Sequence, residues 1–301
     1  MKRKLTFITT ALLCLTALQA LAATDNIKDP HPKTLRAMSY NTWYVFNQKK
    51  EMAAGKEWVN EQTPDIVALQ ELTSIKPELL QSFAESWGHK HSSLLKSSGF
   101  SVGLTSRYPI ETIEKGRKDM HHGFLHARTG GIEIFVVHLS PFKHTVRQRE
   151  ANILLTRIKP LLEAKKKVIV LGDFNALSPV DSSLLDKDKK ALEGALASDA
   201  KHGHVQNLKD GKFEYGVMQT FFDGGLIDTA KGKLPLTLKD RISCPTGVFG
   251  NKPTPPKSGQ RIDYILTGPQ LHKLVTQMSI PRKDELNRIS DHYPVIVDFE
   301  K

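Results

Sequence analysis

Apolar residues in this chain fall into short blocks with two rhythms. Leu35 to Asn41, Ile66 to Gln70, Val102 to Ser106, Ile132 to His138, Val168 to Gly172, Arg261 to Leu266 and Tyr293 to Phe299 are short, and most are rich in Val, Ile and aromatics, which predicts strands. Ile75 to Trp87 and Val146 to Leu162 repeat apolar residues at spacings of three and four, which predicts helices. Val168-Ile169-Val170-Leu171 is a continuous apolar run, as expected of a strand covered on both faces. The alternation predicts an α/β domain with mixed sheets. Residues 178–219 break the rhythm; they are polar, with a helical piece around Ala191 to Ala197, and predict an insertion or long loop.

The polar residues that matter fall at strand ends. Tyr40-Asn41 closes the first strand, Gln70-Glu71 the second, and His138 the Phe135-Val136-Val137 run. Asp173 and Asn175 follow Gly172, and Asp291-His292 precedes the last strand. Strand ends are where α/β folds bring polar groups onto one crevice. Amides, carboxylates and imidazoles gathered there suit a hard, oxygen-bound cation and phosphate chemistry. Taken singly, each has an ordinary reading as a surface carboxylate, a core histidine or a turn. Asp263 is more telling, because a carboxylate inside an apolar strand needs a partner to offset burial, and His292 is a natural one.

The start of the chain stands apart. Met1-Lys2-Arg3-Lys4 is basic, Leu5 to Leu18 carries no charge, and Ala20-Leu21-Ala22 offers small residues for cleavage. Residues 1–22 therefore predict a secretory signal peptide, and an exported protein, periplasmic or secreted. Residues 23–33, with Pro30 and Pro32, predict an irregular lead-in, and residues 34–301 a single domain. The leader holds three basic residues and no acid, so its removal lowers the formal charge from +11 to +8. That mild excess favours anionic partners without singling one out. No later run is long and apolar enough for a spanning helix. Of the two cysteines only Cys244 would remain. It cannot form an internal disulfide and predicts a small buried hydrophobe, with nothing near it in sequence to activate a thiol.

In combination these segments are specific. Ser39-Tyr40-Asn41, Asp65 to Glu71, Gly103 to Ile110, His138-Leu139-Ser140, Gly172-Asp173-Phe174-Asn175, Arg261 to Ile265 and Ser290 to Val295 stand in one order along nearly the whole chain. In this the chain resembles the endonuclease/exonuclease/phosphatase superfamily, the group that includes DNase I, AP endonucleases, inositol polyphosphate 5-phosphatases and bacterial sphingomyelinases. The resemblance implies a four-layered α/β sandwich, two mixed sheets packed face to face and flanked by helices. It implies Glu71 as principal ligand of a catalytic Mg²⁺ (with Mn²⁺ or Ca²⁺ as alternatives), with Asn41 and Asp291 close to the ion. Asp263 and His292 would form a dyad. Asp173 and Asn175 would hold the water and the phosphoryl oxygens, and His138 would donate to a non-bridging oxygen. Family mechanisms differ on whether His292 or Asp173 activates the water; a histidine held by a buried aspartate suits proton transfer near neutral pH, which favours His292.

The expected activity is hydrolysis of a phosphate ester by in-line attack of water. Nucleic acid, a phospholipid or a small phosphoester could serve as substrate; no protein partner is implied, and a monomer is expected. His138 stands where the AP endonuclease branch has tyrosine in a different local pattern, which argues against abasic-site repair. A secreted DNase I-like nuclease, a sphingomyelinase-like phosphodiesterase and an inactive binding protein on the same fold are the alternatives. DNase I has disulfides that this chain lacks. Sphingomyelinases usually carry an aromatic hairpin for membrane contact; here Phe213, Tyr215, Phe221, Phe222 and Phe249 are the aromatics that could serve, with Phe221-Phe222 expected in the core. Loss of activity would be expected to remove Glu71, Asp173 or His292, and all three are present.

Overall fold

The computed structural model describes residue 31 and residues 33–250, 254–256 and 258–301; the expected leader and almost all of the lead-in lie outside the described residues. In chain order the main elements are β1 (Thr34–Asn41), α1 (Met52–Glu61), β2 (Ile66–Gln70), α2 (Pro77–Ser86), β3 (His91–Leu94), β4 (Gly103–Ser106), β5 (Glu111–Gly116), β6 (Phe124–Thr129), β7 (Ile132–His138) and α3 (His144–Glu163). They continue with β8 (Val168–Asp173), α4 (Lys189–Lys201), β9 (Leu208–Lys209), β10 (Lys212–Phe213), α5 (Gly216–Asp223), β11 (Ile227–Asp228), β12 (Asp263–Thr267), β13 (Val275–Ser279) and β14 (Val295–Glu300).

Two six-stranded mixed sheets carry the fold, in the orders β13-β14-β1-β2-β4-β3 and β11-β12-β8-β7-β6-β5. Each has one parallel pair at its centre, β1 with β2 and β7 with β8. A parallel pair needs a crossover, and α1 and α3 supply the two. Alternation along β7 and β8 sets the layers. Ile134, Val136, Ile169 and Leu171 join Ala37, Val67 and Val297 of the other sheet in one core cluster. Phe135, Val137, Val168 and Val170 point the other way, onto Leu154 and Ile158 of α3 and Phe221 of α5. The strand pattern predicted the mixed sheets, and the resemblance implied this four-layered sandwich.

Residues 178–219 hold more structure than expected. The helix runs over Lys189–Lys201, and β9 and β10 pair through Asp210-Gly211, whose φ values of 51° and 72° are those of a tight hairpin turn. Leu177, Leu185, Leu208 and Phe213 form a small core beneath α4. A buried ion network ties this insertion to the second sheet. Arg261 donates to both carboxylate oxygens of Asp228 and to Asp181 Oδ2, and Arg241 to Asp181 Oδ1. The two Arg charges match the two Asp charges, the condition under which buried ions are tolerated.

His89 links the layers elsewhere. It is 1% exposed, and its ring nitrogens meet Thr105 Oγ1 and the Pro64 carbonyl at 2.8 Å each. Burial lowers its pKa from 6.5 to about 4. The unfolded chain therefore takes up a proton below pH 6.5 that the native state refuses until about pH 4. Stability from this site should fall across that window as pH drops, by up to about 3 kcal/mol. Urea titrations of the wild type and His89→Gln at pH 7 and pH 4.5 test it: the variant should lose less on acidification, and equal losses would remove His89 as the cause.

Candidate active site

The crevice lies where strand ends of the two sheets meet. Asn41 pairs with Gln70, and Glu71 follows in the left-handed region at φ 57°. Asn41 Nδ2 donates to Glu71 Oε1 at 3.3 Å, and the Tyr44 amide donates to Oε2 at 3.2 Å. Tyr44 belongs to the run Trp43 to Lys49, in which every residue has positive φ. Such a turn costs ~1–2 kcal/mol per residue, and burial of Val45 and Phe46 opposes that cost. Gly55 makes room for it; a Cβ there would come within 2.4 Å of the Phe46 ring.

In the second sheet, register alone brings three site residues together. His138 pairs with Asp173, and Asp173 with Asp263. Gly172 lets β7 and β8 close; its φ is 147°, and a Cβ would come within 1.9 Å of the Val137 carbonyl oxygen. That is a physical reason for glycine in Gly172-Asp173-Phe174-Asn175. Asp173 Oδ1 accepts from the Asn175 amide at 2.8 Å, and Oδ2 from Asn41 Nδ2 at 3.0 Å. The same Oδ2 faces His138 Nε2 at 3.5 Å and His292 Nε2 at 3.8 Å. His292 Nδ1 lies 2.8 Å from Asp263 Oδ2. The Ser290 hydroxyl donates to the Asn41 carbonyl at 2.7 Å and accepts from the His292 amide at 3.2 Å, fastening the segment before β14 to the end of β1. Asp291 Oδ1 is 3.9 Å from His292 Nε2. Asn175 Nδ2 donates to the Leu139 carbonyl at 3.0 Å, which leaves one amide N–H free of that bond. All eight residues singled out in the sequence thus border one crevice.

The electrostatics are those of an anionic centre. Burial, then Asp291, raises the pKa of Glu71. Burial, then Asp263, pushes Asp173 up to about 8, and burial also raises Asp291. Burial works against a charged His292, but Asp263 and Cys244 together outweigh it, and the imidazole is held well above its ordinary value. Burial, then His122, holds His138 well below its ordinary value, so it is neutral. Asp263 Oδ1 and Asp291 Oδ1 are buried and have no hydrogen-bond partner. Ligand atoms of Asp173, Asp263 and His292 lie within 4.8 Å of one another. Crowded carboxylates, raised pKa values and orphaned oxygens fit a hard divalent cation.

Residues 38–292 match the Endonuclease/Exonuclease/phosphatase family. The chain belongs to that family. No curated protein matches it. Among solved structures, an AP endonuclease from Archaeoglobus fulgidus superposes with a TM-score of 0.63 at 18% identity, over 89% of this chain and 100% of that one. A Neisseria 3′ phosphatase, NExo, bound to a product DNA hairpin, superposes with 0.65 at 17% identity, over 89% and 100%. A humanized D. rerio TDP2 superposes with 0.57 at 17% identity, over 89% and 99%. At such identities the likeness shows the fold, the DNase I-like sandwich. Membership in the endonuclease/exonuclease/phosphatase family indicates a phosphoester hydrolase.

Several neighbours of the crevice escaped the sequence reading. Glu150 on α3 accepts from the His121 amide at 2.6 Å and the Ser140 amide at 2.8 Å, and so fixes the loop after His138. Arg147, one turn earlier, donates to the Ser140 carbonyl at 3.0 Å. Their signal was present: two charged residues on the same helix face as Leu154 and Ile158. His122 stacks on His138 with ring centroids 4.2 Å apart. Cys244 corrects an expectation. It is half-buried rather than a core hydrophobe, and it lies close enough to His292 to act on its charge. Burial raises its pKa. Of the aromatics considered for membrane contact, Phe213 and Phe221 are buried, Phe222 is partly buried, and Phe249 is exposed against Trp43.

Proposed function

We propose that the chain is a divalent-metal-dependent phosphoester hydrolase that cleaves by in-line attack of an activated water. The observation that supports this most is the convergence of Asn41, Glu71, His138, Asp173 and the 2.8 Å Asp263–His292 pair on one crevice within a family match spanning residues 38–292. Glu71, with Asn41 and Asp291 beside it, would hold the cation, Mg²⁺ before Mn²⁺ or Ca²⁺. When bound, the cation offsets negative charge on the phosphoryl group.

The protein's own groups divide the remaining work. In its neutral form, which the positive charge of a bound cation would favour, His292 keeps its proton on Nδ1 against Asp263, and Nε2 is then the basic atom that takes the proton of the water. Both oxygens of Asp173 are engaged, by Asn175 and Asn41, and it acts as a positioning group. Neutral His138 and the remaining Asn175 N–H donate to phosphoryl oxygens. The leader supports export to the periplasm or beyond; mature protein should begin at Ala23, and Edman sequencing of the recovered protein reads that directly.

Hydrolysis of bis-p-nitrophenyl phosphate in oxygen-18 water tests the reaction. Label should enter the phosphate product with Mg²⁺ present, and chelation should stop turnover. Label in the alcohol, or turnover indifferent to chelator, would overturn the reading. The scattered lysines lead us to expect a shallow salt dependence. A polyanion-binding enzyme loses duplex affinity with a slope of about −0.9 per phosphate contacted. Between about 50 and 200 mM salt the Michaelis constant for duplex DNA should change no more than that for a small diester; a steep rise for DNA alone would make this a nuclease.

A further inference from the structure

A cavity of about 650 Å³ opens beside the crevice, and Asn175 and Cys244 line both. One wall comes from the insertion, Leu208 and Phe213 of the hairpin and one face of α4, and the other from the segments at Cys244-Pro245 and Ser258 to Ile262. That size falls in the range of roughly 300–1,000 Å³ typical of pockets that enclose small molecules. A groove for the interior of a duplex would be open and lined by cations.

Two features shape the cavity for an apolar group. The first is its lining: Leu177, Leu208, Phe213 and Ile262 border it, beside Asn175 at the crevice. The second is α4, where Ala191, Gly194, Ala195 and Ser198 offer only small side chains along it. Glycine inside a helix weakens it, yet a Cβ at Gly194 would meet nothing within 4 Å, so no close packing demands glycine there.

We propose that this cavity seats the organic group of the ester, so that the enzyme takes phosphoesters bearing one compact group with an apolar body. The proposal rests on the phosphoesterase reading above. Such a group arrives as part of a free small diester or as the last residue of a nucleic acid strand; the interior of a polymer does not fit.

Gly194→Phe fills the cavity from a helix position with open space, and Gly194→Ala is its control. The probes are the p-nitrophenyl ester of thymidine 5′-phosphate, a linear DNA duplex and covalently closed plasmid, each with Mg²⁺. In Gly194→Phe the ratio of kcat/KM for the small ester to that for plasmid should fall at least about tenfold, and in Gly194→Ala it should stay near the wild-type value. A fall for the linear duplex as well assigns the strand end as a source; an unaffected duplex assigns the free ester. An unchanged ratio in Gly194→Phe, or plasmid as the better wild-type substrate, overturns the proposal. Titration calorimetry with thymidine 5′-monophosphate in chelator separates this from failure of the phosphoesterase reading. Binding lost in Gly194→Phe supports the cavity even without turnover, and equal or no binding in both proteins refutes it.

Discussion

Glu71→Ala is expected to abolish divalent-metal binding and to lower turnover at least about a thousandfold, ~4 kcal/mol of transition-state stabilisation. The fold should survive. Glu71 lies at a strand end, and burial beside Asp291 raises its pKa, so its charge opposes folding when no cation is present. The metal-free variant should therefore melt at or above the wild-type temperature. The wild type should gain stability with Mg²⁺, about 2.7 kcal/mol at a hundredfold excess over Kd, and the variant should gain none. Titration calorimetry and paired thermal melts read both effects. Wild-type metal affinity in the variant would remove Glu71 from the centre.

The second large effect concerns the His292–Asp263 pair. His292→Ala removes the proton acceptor and should cost about 10²–10⁴ in kcat. Asp263→Asn keeps the shape but offers an amide N–H where Nδ1–H now finds a carboxylate at 2.8 Å. That favours the tautomer with Nε2 protonated, which cannot take a proton, and a loss of up to about 10⁴ is expected. Because both changes disable one device, the double variant should be little worse than the worse single one. Steady-state kinetics of the three proteins decide it. Additive losses would assign Asp263 a separate duty, such as bracing β12.

The buried parts of this architecture were legible in the sequence. Val168 to Leu171 and Ile132 to His138 are covered on both faces, and continuous or alternating apolar runs announce such strands. The edge strands were not. His91-Ser92-Ser93-Leu94 and Glu111 to Gly116 lie at sheet margins, where solvent takes the place of packing and polar residues carry no penalty. The hairpin at Asp210-Gly211 was missed although Asp-Gly is a strong turn signal, because its two-residue strands have no room for a period. In the site, position along the strand identified Asn41, Glu71, His138, Asp173, Asp263 and His292. Supporting contacts could not be found this way. Cys244 comes close to His292 across 48 residues of chain, and Glu150 braces loops from the buried face of α3. Only the tertiary path brings these groups together.

That path has a kinetic corollary. Asn41 and Asp173 are 132 residues apart and Ser290 reaches back 249 residues to Asn41, so each contact closes a long loop. Loop closure over such distances loses entropy early and is rewarded late, which places these contacts among the last to form. Helices α1 to α5 and the local hairpins can assemble while the catalytic groups are still apart. A refolding chain should recover its far-ultraviolet signal before any hydrolysis, and a partly folded one is catalytically silent. Activity in this protein is in effect a proofreading signal, read only when the two ends of the domain have met.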